Sequence, residues 1–313
     1  MPVSESHRAS GLDAPLTDIA NMKCADFTNI EDAFFTYFDM LDDTIESLDA
    51  VAIAVAAPVN DDWINVTNNR WQFSKIALQE RLTAHRFLVV NDFTAQALAQ
   101  IDPTPNTVIL SGQSDDTAPL LVIGPGTGLG VSALIPSPAG YIPLEGEGGH
   151  VSFSPRSAME NALLAFTRQT HNHVSAEHFV SGSGLENIYR FLANSSGSEP
   201  SLTALEIGAE AISSDGICRD AAIMLLEILA TVIADNVLTI GAWRGAVIAG
   251  GVVPQLEPLI SKSNFADRIH SIGVASHLTR DLPVWLSSDP HSGLRGALAG
   301  MSIAHLQPRI LND

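Results

Sequence analysis

The chain has 313 residues, which suggests about two domains at roughly 100–200 residues each. Its composition, 46% hydrophobic and 16% charged, excludes a disordered protein, and two cysteines cannot form a disulfide framework. The formal net charge of −19 disfavours binding to nucleic acid or to anionic lipid. We find neither an apolar run of about 20 residues nor a secretory leader, and therefore expect a cytoplasmic protein that does not bind membranes.

The first half of the chain alternates strands and helices. Apolar runs predict strands over residues 50–56 and 63–66, and the first of these stops at Pro58. Ser74 is a suitable N-cap for a helix that ends at Leu82. A third buried strand is predicted over residues 87–90.

The alternation continues beyond a helix that we expect to begin at Thr94. Residues 102–106 contain two prolines and mark the predicted domain boundary. The second half predicts strands over 120–123, 131–135 and 246–249, and helices over 158–167, 184–193, 202–213 and 219–240, with another opening at Pro254. Two successive blocks of this kind predict an α/β protein with two similar lobes.

A glycine-rich segment, residues 124–130, follows one of the buried strands directly. Its residues Gly124, Gly126, Thr127 and Gly128 leave the backbone N–H groups accessible to a phosphate. No Gly-Lys-Ser/Thr follows, so the segment is not a Walker loop. The alternative interpretation is a tight turn of a β-hairpin.

Asn91 and Asp92 come at the end of a buried strand. Ligands of α/β sheets bind at the carboxyl ends of strands, so Asp92 is well placed to remove a proton from a substrate. The alternative interpretation is that Asp92 only caps the helix that follows.

Glu147 and His150 combine an acid and an imidazole across a pair of glycines. Metal binding would require a third ligand, and none is nearby in the sequence, so we predict no protein-bound metal site. Hydrogen bonds to sugar hydroxyls fit better, because Glu accepts and His either donates or accepts. An exposed polar turn is the alternative, and it would leave the glycine pair unexplained.

Two further segments resemble helix entrances. Glu177 lies in a Ser-Ala-Glu segment, where its charge would favour a helix N-terminus without any further role. Gly250 and Gly251 form a turn from a strand into a helix, where a flat ring or a phosphate could rest. An ordinary connection explains the same residues.

Taken in order, these segments resemble the bacterial glucokinase family, within the actin-like/hexokinase/sugar-kinase superfamily. The resemblance covers about residue 16 to the C-terminus and is carried by the order of the motifs AVAAPV, VTNNRWQFS, VVNDFTA, GPGTGLG, EGEGGHVSFSP, SAEHFVSGSGL and VIAGGVVPQL.

The resemblance implies a role for each candidate residue. Asp92 would take the proton from the 6-hydroxyl of glucose, or of a close hexose, as that hydroxyl attacks the γ-phosphate of ATP. The sugar would also contact Asn91, Glu147, His150, Glu177 and Asn68. ATP, carried with Mg²⁺, would bind the phosphate segment at Gly124, Gly126, Thr127 and Gly128, with its adenosine at Gly250 and Gly251.

The resemblance also implies the architecture. The family fold is a two-lobed, actin-like ATPase fold of the hexokinase type, with an inter-lobe cleft. The small domain would comprise residues 1–104 plus 290–313 and the large domain residues 105–289, with a last helix over 293–305 returning to the small lobe. By analogy with the family we expect a homodimer.

The N-terminal segment departs from the family pattern. The family opens with a strand and a phosphate loop of the form G-D-I/V-G-G-T-N-x-R, which residues 1–16 do not contain. In the family that loop helps to hold Mg²⁺, so we expect weaker nucleotide binding and slower catalysis.

The leading function is ATP-dependent phosphorylation of glucose to glucose 6-phosphate. The alternative is a catalytically impaired or inactive hexose-binding protein with a regulatory role.

Overall fold

The structure is a computed structural model, and it describes residues 16–41, 45–67, 69–103, 106–195 and 202–312. The strands are β1 Leu48–Val55, β2 Trp63–Asn65, β3 Gln72–Ser74, β4 Ala84–Asn91, β5 Thr107–Leu110, β6 Leu120–Pro125, β7 Leu129–Ser137, β8 Gly140–Gly146, β9 Gly245–Ile248, β10 Val284–Leu286 and β11 Leu311–Asn312. The α-helices are α1 Ile30–Met40, α2 Lys75–Leu82, α3 Asp92–Leu98, α4 Ala158–Thr167, α5 Gly182–Ser195, α6 Ala204–Ser213, α7 Ile217–Ile240, α8 Val253–Ile260, α9 Phe265–His270, α10 Ser276–Thr279 and α11 Ser292–Gly300.

These elements belong to two compact units. The first unit contains the described residues up to Asp102, the hairpin tip Ser137–Pro143 and the described residues from Pro290 onward. The second contains the described residues of Pro103–Pro136 and Leu144–Asp289. We predicted a small domain of residues 1–104 plus 290–313 and a large domain of residues 105–289. The units differ from these domains in two places, because the hairpin tip belongs to the first unit and residues 103–104 belong to the second. Asn91 and Asp92 belong to the first unit, and the other described site residues belong to the second.

A three-stranded sheet, in the order β1-β4-β11, forms the centre of the first unit. β1 runs parallel to β4, with Val51 opposite Phe87, whereas β11 runs antiparallel to β4. Residues 87–90 of β4 are at most 4% exposed, because both faces of this central strand are covered. The strands predicted over residues 50–56 and 87–90 are confirmed, with small differences at their ends.

The helix after β4 begins two residues earlier than expected. We predicted a start at Thr94, but α3 begins at Asp92. Asn91 is the N-cap, and its side-chain oxygen accepts the N–H groups of Phe93 at 2.9 Å and Thr94 at 3.2 Å. An asparagine in this position satisfies donors that a helix start leaves unpaired. The alternative in which Asp92 is the cap is therefore wrong, and Asp92 lies in the first turn.

Helix α11 packs closely against α3, the helix that carries Asp92. A Cβ atom on Gly296 would overlap the carbonyl oxygen of Ala95, so only glycine allows the two backbones to approach this closely. The Ser292 hydroxyl donates to the Gln96 side-chain oxygen at 2.6 Å. These contacts fix the position of α3 within the first unit.

The last helix is shorter than predicted. We expected a helix over residues 293–305, but α11 ends at Gly300 and a 3-10 helix, Ala304–Arg309, follows. Pro308 lies in that segment and lacks the N–H group that an α-helix would require. Strand β11 follows, antiparallel to β4.

The α11 contact makes a testable prediction about stability. We expect Gly296→Ala to lower the free energy of unfolding by about 1–3 kcal/mol, because the added methyl group meets a backbone oxygen. The control is Gly293→Ala in the same helix, where the nearest atom would be the Gln96 amide nitrogen at 3.7 Å, an ordinary contact. Thermal melts should show a loss for the first variant only. A Gly296→Ala protein as stable as the wild type would contradict the close packing.

A six-stranded sheet, in the order β5-β10-β9-β6-β7-β8, forms the centre of the second unit. β6 is parallel to β9 and antiparallel to β7, and β9 is parallel to β10. The predicted strands at 120–123, 131–135 and 246–249 are confirmed within β6, β7 and β9. Because β6 and β9 are parallel, the glycine segments that follow them emerge at the same edge of the sheet.

Helix α7 lies in the core of the second unit. It is long and apolar enough to cross a membrane by length and composition, so our expectation that no segment meets that criterion is wrong. Half of its most apolar 18-residue window is buried within the protein. Leu225, Leu229 and Ile233, for example, are fully buried in the core cluster. The core helix of a globular protein meets the same criterion of length and composition as a membrane-spanning helix. Meeting that criterion is therefore weak evidence that α7 crosses a membrane.

Candidate active site

Asn91 and Asp92 lie at the edge of the first sheet where β1 and β4 both end. Asn91 pairs in register with Val55, the last residue of β1. Its side-chain amide donates to the carbonyl of Ala57 at 3.4 Å, and its oxygen caps α3. The side chain thus links the segment after β1 to the start of α3, and it fixes the backbone next to Asp92.

The Asp92 carboxyl group is half-buried. Removal from water raises the pKa of Asp92 above its ordinary value, while hydrogen bonds from Phe93, from its own N–H and from Asn91 act in the opposite direction. The Phe93 N–H lies 3.0 Å from Oδ1. A carboxylate with a raised pKa is a stronger base, and the hydrogen bonds fix its direction. These properties suit a group that removes a proton from a hydroxyl.

Three of the predicted sugar-binding residues come together in the second unit. The His150 ring lies between two carboxylates, with Nε2 at 3.9 Å from Glu147 and Nδ1 at 3.9 Å from Glu177. Both distances exceed a hydrogen bond, so none of the three side chains is held by another member of the cluster. Glu147 and His150 are exposed, at 69% and 59% of the side chain, whereas Glu177 is only 31% exposed.

The glycines beside His150 are required by packing. A 3-10 helix, Gly148–His150, lies against the start of β7. A Cβ atom on Gly149 would overlap the carbonyl oxygen of Leu129, and one on Gly148 would lie 2.8 Å from the Val131 side chain. The exposed-turn alternative left this glycine pair unexplained, and the close approach to β7 explains it.

Glu177 also contacts the glycine-rich segment. Its Oε2 atom accepts the N–H of Leu129 at 2.8 Å, and a Cβ atom on Gly128 would overlap that oxygen. The other carboxylate oxygen faces His150. One side chain therefore connects the predicted sugar residues to the predicted phosphate segment.

The glycine-rich segment is the turn of the β6–β7 hairpin, so the hairpin interpretation of its backbone is confirmed. Pro125 pairs with Leu129 across the turn, and the Gly126 N–H donates to the Gly128 carbonyl at 2.8 Å. The N–H groups of Thr127 and Gly128 bind no acceptor among the described residues. Among the described residues, apart from its two neighbours in the chain, no atom lies within 4 Å of a Cβ position on Gly126. A turn with free donors and open space on one side fits a phosphate group.

The segment that follows β9 lies against the same hairpin. Gly250 has a φ of +84° and passes so close to the Pro125 carbonyl that a Cβ atom would lie 2.6 Å from it. A small pocket of about 70 Å³ adjoins this turn. It is lined by Gly182, Leu185, Ala204, Leu205, Gly208, Val252, Gln255 and Leu256. Its lining combines two glycines with apolar side chains.

Two predicted features lie outside the described residues. They are Asn68 and the N-terminal segment, residues 1–15. Among the residues that the structure describes, no three His, Cys, Asp or Glu side chains are grouped so as to hold a metal ion.

Comparison with known proteins identifies the family. The sequence profile described as Glucokinase matches residues 5–303. The chain belongs to the glucokinase family. It is 36% identical to a glucokinase of Neisseria gonorrhoeae over 287 residues, which cover 90% of this chain and 87% of that protein.

Solved structures agree with the family assignment. The crystal structure of a glucokinase from an Antarctic psychrotroph superposes with a TM-score of 0.76 at 29% identity, covering 89% of this chain and 87% of that one. A glucokinase from Balamuthia mandrillaris in complex with glucose has a TM-score of 0.73 at 20% identity, covering 88% and 82%. The predicted glucokinase family and the actin-like, hexokinase-type fold are therefore confirmed. The family reaction is the ATP-dependent phosphorylation of glucose, and the chain is a kinase of that class.

Sequence reasoning missed several residues that surround the site of this glucokinase family member. The Leu129 N–H binds Glu177, the Gly182 N–H binds the Gly126 carbonyl at 2.9 Å, and Gln255 lines the pocket beside Gly250. Each contact joins segments far apart in the chain, so the motifs that contain these residues did not indicate the contacts between them.

Proposed function

We propose that this chain phosphorylates glucose at its 6-hydroxyl, with Asp92 as the general base. The ionised carboxylate removes the hydroxyl proton, the hydroxyl oxygen forms a bond to the γ-phosphorus of ATP, and the bond to ADP breaks. The observation that supports this most directly is the Asp92 carboxyl group, half-buried and held at the carboxyl ends of β1 and β4.

We further propose that Glu147, His150, Glu177 and Asn91 bind the hydroxyl groups of the sugar, with Asn68 as an additional contact. The cluster in the second unit supports this, because its acceptors surround one imidazole that either donates or accepts. Glucose is the expected substrate, and a close hexose with the same hydroxyl pattern would bind in the same way.

The nucleotide would be held by the hairpin turn and the pocket beside it. The free N–H groups of Thr127 and Gly128, with Gly124 and Gly126, would bind the phosphates, and Gly250 and Gly251 would adjoin the adenosine. Mg²⁺ neutralises phosphate charge, and we propose that it enters with ATP, since it is commonly held by substrate phosphates with few protein ligands. A cytoplasmic location, where ATP is available, and a homodimer remain predictions.

A coupled assay with glucose, ATP and Mg²⁺ tests the proposed function. We expect measurable turnover that is slower than in a family member with the complete N-terminal phosphate loop. Glucose binding without turnover would instead favour the inactive hexose-binding alternative. A well-folded protein with neither binding nor turnover would contradict both functions.

The sugar-binding set makes its own prediction, which does not depend on ATP. Calorimetry with glucose and a series of deoxyglucoses should show losses of about 1–3 kcal/mol for each hydroxyl that meets this set, because a polar group that the bound sugar covers is then left unpaired. Glu147→Gln should weaken glucose binding, whereas Glu257→Gln, an exposed change on α8, should not. Equal affinities for glucose and all its deoxy analogues would contradict the assignment.

A further inference from the structure

A histidine closes the short helix that carries Glu177. Ser175 precedes the 3-10 helix Ala176–His178, and its N–H donates to Nδ1 of His178 at 3.2 Å. The Ser175 hydroxyl lies 2.9 Å from the same nitrogen. This is a capping box in which histidine occupies the position that glutamate or glutamine usually takes.

The backbone on both sides of Glu177 is fixed by other contacts. The Ala176 N–H donates to the Val151 carbonyl at 3.1 Å, and the Ser181 hydroxyl donates to the Glu177 carbonyl at 2.8 Å. The Asn187 amide donates to the carbonyl of His178 at 3.1 Å. With these anchors, the His178 ring is the side chain that closes the turn, and Glu177 points from that turn toward His150 and Leu129.

We propose that His178 is a positioning residue for the sugar, which sets the direction of the Glu177 carboxylate by closing the capping box from Ser175. The inference rests on the proposed role of Glu177 in sugar binding. His178 itself would not touch the substrate. Its loss should therefore weaken glucose binding while the chemical step and the ATP interaction stay largely intact.

The capping box requires a particular protonation state. Nδ1 accepts the Ser175 N–H, so it must be unprotonated, with the ring neutral and its proton on Nε2. The titratable groups that face the ring are His171, whose ring packs edge-on at 4.7 Å, and Glu177, His173 and His150. Burial and then His171 lower the pKa of His178, with smaller contributions from His173 and His150, and Glu177 opposes them. At neutral pH the box is therefore closed.

The sign of the pH dependence follows from this shift. A histidine whose pKa is lowered in the folded protein keeps its stabilising contact above its ordinary value and loses it as the pH falls toward the lowered value. The KM for glucose should therefore rise as the pH falls through that lowered pKa, which lies below the ordinary histidine value of 6.5. The difference between matched variants at residue 178 separates the contribution of His178 from that of the other groups in the site.

The test compares His178→Ala with His178→Gln. Glutamine restores an acceptor in the capping box, and alanine does not. We expect His178→Ala to raise the KM for glucose about 3- to 30-fold, the factor that corresponds to one lost cap, with kcat and the KM for ATP nearly unchanged. His178→Gln should restore the KM for glucose to near the wild-type value. The increase of this KM at acid pH should be smaller in His178→Gln than in the wild type.

Each outcome decides a separate question. An unchanged KM for glucose in His178→Ala would overturn this inference and leave the proposed function intact. The same holds if the KM for glucose of His178→Gln increases at acid pH as much as that of the wild type. A wild type that binds no glucose would overturn the proposed function, and the inference with it. If His178→Ala does not fold, as judged by its thermal melt, the pH profile of His178→Gln against the wild type decides.

Discussion

Replacing Asp92 by asparagine should lower kcat by about 10²–10⁴-fold, the usual contribution of a positioned general base. The amide is nearly isosteric with the carboxyl group and still accepts the Phe93 N–H, so the start of α3 should be preserved. It has no basic oxygen to take the proton of a hydroxyl. Glucose binding, measured by calorimetry, should change much less than kcat.

The matched control for this variant is Asp102→Asn. It is the same substitution at an exposed position in the same unit, outside α3, and we expect it to leave kcat unchanged. A well-folded Asp92→Asn protein with wild-type turnover would show that another group is the base.

The pH profile of kcat provides a second measurement on Asp92. The base must be ionised, and burial raises its pKa above the ordinary value of 3.8, so kcat should fall as the pH falls through that raised value. The acid limb of the wild-type profile should therefore lie at higher pH than for an exposed aspartate. In Asp92→Asn this limb should disappear along with most of the activity.

Parts of the fold with strong local signals could be predicted from the sequence. Continuous burial makes residues 87–90 of β4 an apolar run, and Ser74 is the N-cap of α2, with its hydroxyl accepting the Ala77 N–H at 3.1 Å. Where two neighbouring residues have similar propensities, the sequence does not show which of them occupies the N-cap position. Asn91 and Asp92 both favour N-cap positions, and only the backbone shows that Asn91 takes this role.

Elements with weak patterns were missed for physical reasons. β8 is buried at only one position, so it shows no alternation, and the two residues of β11 are too few for any period. In the site, the sequence indicated Glu177 and the glycine segment as separate motifs. The hydrogen bond between Glu177 and Leu129 spans 48 residues and depends on the tertiary fold, which local sequence does not encode.

Replacing Glu177 by alanine should have the other large effect, because it removes two interactions at once. Oε2 holds the Leu129 N–H at 2.8 Å, and Oε1 faces His150 at 3.9 Å. A hydrogen bond to a charged group contributes about 1.5–3 kcal/mol, or roughly 10- to 150-fold in an equilibrium constant. We therefore expect kcat/KM for glucose to fall by about 10²–10³-fold. The KM for ATP should rise by about tenfold, since Leu129 loses the contact that orders the hairpin turn.

Glu177→Gln separates these two contributions. Its side-chain oxygen still accepts the Leu129 N–H, although without the strength that a charge adds, so the KM for ATP should return close to the wild-type value. The kcat/KM for glucose should recover less, because both oxygens of the carboxylate accept hydrogen bonds, whereas the amide has an NH₂ donor in place of one of them. Glu257→Ala, an exposed change on α8, is the control and should alter neither constant. If Glu177→Ala raised only the KM for glucose, the contact with Leu129 would have no part in nucleotide binding, and the two halves of the site would act independently.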